Sequence, residues 1–281
     1  MIPQNQISKL SNRLYQEEKG RRISELVLER DYCIAWFLVG LARVSLRKKL
    51  VFKGGTALKR CYFAHYRFSE DLDFTLLEDI SFEELKGELE HVYAEVKKAS
   101  NITFGFSRED SQSHQNSYTF YLGYEGPLSV RASAKEIKVD VTRKEHLVYL
   151  PEQRTVLKSY AEYSDLPVVE KIQVYPLHEI ATEKAVALLD RARTEPRDLY
   201  DLWYLLVLAK EVEIAEIQQG IQEKLQFRQK SFDDVRQEFG KKEARLRKTW
   251  DSRLASQMNG LPEFEEVYRA VKRELRQIGV S

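Results

Sequence analysis

The sequence predicts an α+β chain: a mixed β-sheet flanked by helices over residues 1–175, then an all-helical half over residues 176–281. Three observations predict it. Apolar residues recur with a helical period at Ile23, Leu26, Val27, Ile34, Phe37, Leu38, Leu41 and Ala42. Apolar and polar residues alternate, as on a half-buried strand, over 71–77 and again over 137–142. After Pro176 the alternation stops and only helical patterns remain.

Taken in order, residues 5–18 read as a short polar helix and 23–42 as an apolar one. Arg43, Arg47, Lys48 and Lys49 place positive charge at the second helix's C-terminal end, where the helix dipole favours it. Leu50-Val51-Phe52 is a short strand ending at Gly54-Gly55, and Thr56 to Ala64 restarts as a helix. On the strand 71–77, Asp71, Asp73 and Thr75 face one way, and Leu72, Phe74 and Leu76 the other. Ser81 followed by Glu84 is a capping-box start for a helix running to about Lys98. β-rich runs follow at 102–106, 117–124, 128–141 and 168–175, separated by polar or Gly/Pro segments. In the second half, 177–193 is helical and Pro196 marks the start of a helix to residue 210. Residues 211–226 and 232–258 read as heavily charged helices, and 263–278 as a last amphipathic one.

The 281 residues suffice for a sizeable core, as one large domain or two packed ones. The net charge of +1 conceals segregation: residues 1–67 hold 14 Lys/Arg against 5 Asp/Glu, and residues 69–110 hold 4 against 12. Acidic and basic belts side by side suit a divalent cation next to a polyanion, and equally suit two solvated faces. Cys33 and Cys61 make neither a zinc quartet nor a disulfide framework and read as small core residues of a reducing compartment. No apolar run approaches the ~20 residues needed to span a bilayer, and the polar N-terminus lacks a signal pattern. The expectation is a cytoplasmic protein without membrane partners. The five histidines are scattered without metal-ligand spacing.

The chemistry concentrates in two stretches. Lys53-Gly54-Gly55-Thr56 is a strand-to-helix turn whose glycines let backbone amides approach an anion, with Thr56 adding a hydroxyl. Arg67-Phe68-Ser69-Glu70-Asp71-Leu72-Asp73 follows, its two aspartates on one strand face. Side by side they repel unless a cation lies between them, and a hard, oxygen-seeking Mg²⁺ is the usual resident beside a triphosphate. On the second alternating strand Ile137, Val139 and Val141 face the core, leaving Lys138, Asp140 and Thr142 together on the other face. If the two strands are neighbours, three carboxylates converge.

Phe52-Lys53-Gly54-Gly55-Thr56-Ala57-Leu58, Arg67 to Phe74, Glu183-Lys184-Ala185-Val186-Ala187-Leu188 and Arg197-Asp198-Leu199-Tyr200-Asp201-Leu202 resemble the four signature motifs of the AbiEii/AbiGii toxin family. These are nucleotidyltransferases of the DNA polymerase β-like superfamily, found in toxin–antitoxin and phage-abortive systems. The resemblance implies a nucleotidyltransferase-type sheet with a helical domain completing the active-site cleft. It implies transfer of a nucleotide from an NTP to an acceptor hydroxyl, at the 3′ end of tRNA, blocking translation and growth. It implies Mg²⁺ (or Mn²⁺) on Asp71, Asp73 and Asp140, and triphosphate contacts from Lys53, Gly54, Gly55, Thr56, Arg67, Ser69, Lys184 and Arg191. An acidic residue of the fourth motif, Asp198 or Asp201, joins the site, and the sequence does not separate the two. A cognate antitoxin is an implied partner.

The helical half adds Arg228, Lys230, Arg236, Lys241, Lys242, Arg245, Arg247, Lys248 and Arg253, with Phe227, Phe232, Phe239 and Trp250 interleaved. Cations with aromatics suit RNA; they also suit a helix with an apolar stripe and long charged stems, which is the commoner case. Two rival functions remain at this level. One keeps the chemistry and moves the acceptor to a protein or small-molecule hydroxyl. The other is a catalytically silent nucleotide- or antitoxin-binding module, which has no need of a repelling carboxylate cluster.

Overall fold

The computed structural model describes residues 1–18, 22–111, 116–129, 135–190, 193–258 and 260–280. Its contacts divide the chain into two compact units, Met1–Glu145 with Pro151–Val174, and His146–Leu150 with Tyr175–Ser281.

The first unit is built on a seven-stranded mixed sheet. Its strands are β1 (Leu50–Lys53), β2 (Leu72–Leu76), β3 (Thr103–Glu109), β4 (Ser117–Glu125), β5 (Glu136–Thr142), β6 (Glu152–Thr155) and β7 (Lys171–Val174), in the order β3-β4-β5-β2-β1-β7-β6. β2 runs antiparallel to β1 and parallel to β5, and β7 runs parallel to β1. The remaining neighbours are antiparallel. Helices α1 (Gln4–Glu18), α2 (Glu25–Ala42), α3 (Gly54–Ala57) and α4 (Phe82–Ser100) complete the unit.

β5 alternates buried and half-buried residues along its whole length, so one face of the sheet packs inward and the other carries Lys138, Asp140 and Thr142. The inward face meets α2 and α4 through aromatic contacts, Phe37 on Phe104 (5.6 Å between centroids) and Phe82 on Phe120 (5.5 Å). Buried ion pairs enter this core, Glu29 with Lys135 at 2.9 Å and Asp31 with Arg60. Cys33 and Cys61 are buried free thiols, and burial pushes the Cys61 thiol up to about 12. Both halves of the Ser81–Glu84 capping box are present at the start of α4.

Four local expectations are corrected. α2 stops at Ala42, and Arg47 and Lys48 ride on a separate 3₁₀ turn, Ser45–Lys48. The helix after β1 starts at Gly54, two residues earlier than expected, and widens into a π-helical turn over Leu58–Tyr62. Of the run 128–141, residues 130–134 lie outside the described residues, β5 begins at Glu136, and Leu128 lies off the strand with both backbone groups spent on side chains. Its N–H donates to Glu29 Oε1 (2.7 Å) and its carbonyl accepts from Lys135 Nζ (2.5 Å). The run 168–175 narrows to β7, with Val168 and Val169 exposed, while the polar strand β6 gives too little apolar alternation to be read.

The second unit is helical: α5 (Leu177–Leu189), α6 (Pro196–Trp203), α7 (Ile214–Phe227), α8 (Phe232–Val235), α9 (Glu238–Lys241), α10 (Glu243–Leu254) and α11 (Phe264–Gln277). α5 packs on α6 and α7, and α6 packs on α10 and α11. The segment His146–Leu150 is tied to α5, where Glu179 Oε2 accepts from the amides of Val148 (3.1 Å) and Tyr149 (3.0 Å). The single helix expected over 232–258 is broken into three. At the α9–α10 junction Lys242 turns inward, and its Nζ donates to the carbonyls of Ala187 (3.2 Å), Asp190 (2.5 Å) and Arg193 (2.5 Å). Phe239 and Trp250 are buried, stacked on Tyr268 and edge-on to Phe264 respectively. They are core residues and are not offered to stacked bases; Phe227 is exposed. No helix among the described residues is long and apolar enough to cross a membrane.

Candidate active site

β1 ends into the turn that begins α3, and Gly54 sits there with a φ of +79°, a conformation L side chains resist. A Cβ at Gly54 would lie 2.5 Å from Asp73 Oδ2, and one at Gly55 would lie 2.5 Å from Arg67 Nη2. The two glycines therefore let the turn press against the stretch that carries the aspartates. Thr56 completes the junction from inside. Its buried hydroxyl donates to the Asp71 carbonyl (2.5 Å) and is hydrogen-bonded to the Ser69 hydroxyl (2.8 Å). Thr56, expected to point at a ligand, thus holds the backbone of Asp71. Arg67 is buried and donates to the Phe68 carbonyl at 3.2 Å.

The sheet register assembles the acidic face. Lys53 of β1 is opposite Asp73 of β2, Asp73 is opposite Asp140 of β5, and Asp140 is opposite Thr119 of β4. Directly opposed residues share a sheet face, so these four form one transverse row, with neighbouring strands about 4.8 Å apart. Asp71 immediately precedes β2. Asp140 is held at both oxygens, by the Thr119 hydroxyl at Oδ1 and by Lys138 Nζ at 2.8 Å from Oδ2. Partial burial works against the Lys138 ammonium, but its hydrogen bond to Asp140 and the charges of Asp140 and Asp71 raise it above the ordinary lysine range. Lys53 Nζ donates to Thr142 Oγ1 at 3.1 Å on the same face.

Among the described residues no three His, Cys, Asp or Glu side chains stand ready as a metal-ligand cluster. The donor chemistry nevertheless fits a hard cation: carboxylates from two adjoining strands, and a glycine at position 54 where a Cβ would fill the space beside Asp73 Oδ2.

The helical unit holds a second cluster. Lys184 of α5 is buried with its Nζ 2.7 Å from Asp198 Oδ1 and 2.8 Å from Asp201 Oδ2, both on α6. The i, i+3 spacing puts both carboxylates on the helix face toward α5. Asp198 also accepts from Arg193 Nε at 2.8 Å. Burial pushes the Asp198 carboxyl up, but the Lys184 ammonium and the Arg193 guanidinium overcome it, leaving it below the usual aspartate range. Asp198 and Asp201, which the sequence could not separate, are thus joint partners of Lys184. Arg191 lies outside the described residues.

The profile described as nucleotidyl transferase AbiEii toxin, type IV toxin–antitoxin system, matches residues 36–270. The chain belongs to the AbiEii family. This family makes it a nucleotidyltransferase toxin of a type IV toxin–antitoxin system. The AbiEii chain is similar in fold to MenT4, a nucleotidyltransferase toxin from Mycobacterium tuberculosis, with a TM-score of 0.56 and 16% identity, over 95% of this chain and 96% of that one. Comparison with curated proteins gives no match.

Two contributors escaped sequence reading. Thr119 sits in an alternating strand, but its place opposite Asp140 is set by the β4–β5 register. Arg193 follows α5 and gives no periodic signal that it folds back on Asp198.

Proposed function

We propose that this AbiEii chain transfers a nucleotide from an NTP to the 3′-terminal hydroxyl of an RNA acceptor, tRNA being the class tested first, in a Mg²⁺-dependent reaction. The observation that carries the reading is the transverse row Lys53–Asp73–Asp140–Thr119, with Gly54 pressed against Asp73. Asp71, Asp73 and Asp140 would hold the divalent cation, which when bound would supply Lewis acidity toward the acceptor hydroxyl and offset triphosphate charge. The Gly54-Gly55 amides and Lys53 receive phosphate oxygens, and Arg67, Ser69 and Thr56 fix the turn that presents them. Asp140 accepts the proton of the acceptor hydroxyl as its oxygen bonds to the α-phosphorus and pyrophosphate leaves. Lys184 is the proposed phosphate contact from the third family motif, held by Asp198 and Asp201. Proteinaceous antitoxin is the proposed partner that restrains the activity.

The test is incorporation of label from each NTP, with Mg²⁺, into total RNA or cell extract, beside an Asp71→Ala/Asp73→Ala control. Label in tRNA is the expected result, and label in protein moves the acceptor. Absence of label with every divalent metal tried sinks the transfer reading. Growth arrest on expression, relieved by the same control, tests whether toxicity follows from the chemistry.

A further inference from the structure

Both oxygens of Asp140 are already engaged, and one of the two partners is a cation. Thr119 holds Oδ1 from the opposing strand, while Lys138, two residues earlier on the same face of β5, holds Oδ2 at 2.8 Å. Thr119 is neutral and fixed by register. Lys138 is not: its side chain is 37% exposed, and four methylenes let its ammonium swing away without moving the strand. The charged and titratable groups facing it are Asp140, Asp71 and Tyr121. A divalent cation at Asp140 Oδ2 would meet an ammonium at ion-pair distance, and the two positive charges repel over a few ångströms.

We propose that Lys138 is a positioning residue that competes with the divalent cation for Asp140 Oδ2 and, once displaced, binds a phosphate of the nucleotide. The proposal rests on Asp71, Asp73 and Asp140 forming the metal face. It makes Lys138 the internal counter-cation of that face: it orients Asp140, and the entering metal exchanges it to the incoming polyanion. Metal and triphosphate would then assist one another through a residue of the protein.

The signature is a pair of changes of opposite sign. Lys138→Met removes the competitor and the phosphate contact together, and sits on a half-exposed position outside the core. Mn²⁺ binding without nucleotide, followed by calorimetry, is expected to tighten by about three- to tenfold, the range set by losing one partly solvated like charge. Binding of inorganic tripolyphosphate in saturating Mn²⁺ is expected to weaken by a similar factor. Lys138→Arg is expected to keep both affinities within about twofold. Thr119→Val, which removes a hold on Asp140 but no charge, is expected not to tighten Mn²⁺. Two unchanged affinities in Lys138→Met, or two that move in the same direction, overturn the proposal, with thermal melts verifying that each variant is folded. Wild-type protein whose Mn²⁺ binding is absent, or survives Asp71→Ala/Asp73→Ala, overturns the metal face itself and the Lys138 proposal with it.

Discussion

Replacing Gly54 with alanine perturbs the site at one atom. At φ +79° an L residue carries a left-handed backbone, which costs about 1–2 kcal/mol. The new Cβ would also stand 2.5 Å from Asp73 Oδ2 and 3.3 Å from its Cγ. Ordinary carbon contacts begin near 3.5 Å, so the carboxylate must retreat by roughly 1 Å. A displacement of that size in a reacting constellation costs about 10²-fold in rate. The backbone strain lowers the melting temperature by roughly 2–8 °C, at about 2–4 °C per kcal/mol for a unit of this size. Gly54→Ala is therefore expected to lose about 100-fold of NTP-dependent label transfer while still melting cooperatively. Initial rates and scanning calorimetry on the same preparation measure both. The Gly55→Ala variant is the internal control. Its φ is not positive, and its Cβ would meet Arg67 Nη2 at 2.5 Å, so it should impair transfer with a smaller thermal shift. A Gly54→Ala protein that transfers within threefold of wild type refutes the close-approach reasoning.

Three further outcomes are expected. Thr56→Val leaves the Asp71 carbonyl without its hydroxyl donor and should cost about 1–3 kcal/mol in urea unfolding, with Thr56→Ser close to wild type. Lys184→Met leaves Asp198 and Asp201 buried without their shared ammonium and should cost about 3–5 kcal/mol, read from the denaturation midpoint. The folded Asp198 carboxyl titrates below its unfolded value, so its contribution is present above about pH 4 and is lost as pH falls through the lower folded value. Asp198→Asn should accordingly flatten the stability–pH curve on the acid side, and an unchanged acid limb would contradict the ion-pair assignment.

What the sequence made legible follows from the range of the interactions. The inward face of β5 could be read because Ile137, Val139 and Val141 alternate locally. The capping box at Ser81 spans three residues and was equally plain. The aspartates could be placed on strand faces, but that β2 and β5 are neighbours, with Asp73 beside Asp140, is a fact of pairing across the chain. The break at the α9–α10 junction was hidden because the carbonyls that draw Lys242 inward lie 49 to 55 residues away. At Thr56 the motif shows a hydroxyl beside two glycines, which suits a ligand, while its buried bond to the Asp71 carbonyl is invisible there. The aromatics of the helical half were ambiguous by composition, and only packing made Phe239 and Trp250 core.

The strand order has a consequence for synthesis. β1 and β2 are the central antiparallel pair, yet the partner beside β2 is β5 and the partner beside β1 is β7, so the sheet interior is filled by segments made much later. Such pairings close long loops before they gain contacts, which slows folding. A nascent chain that has not yet released residues 136–142 lacks both Asp140 and the neighbour that sets its level with Asp73. Truncated chains ending before β5 therefore carry the glycine turn, Asp71 and Asp73 without the third carboxylate beside them.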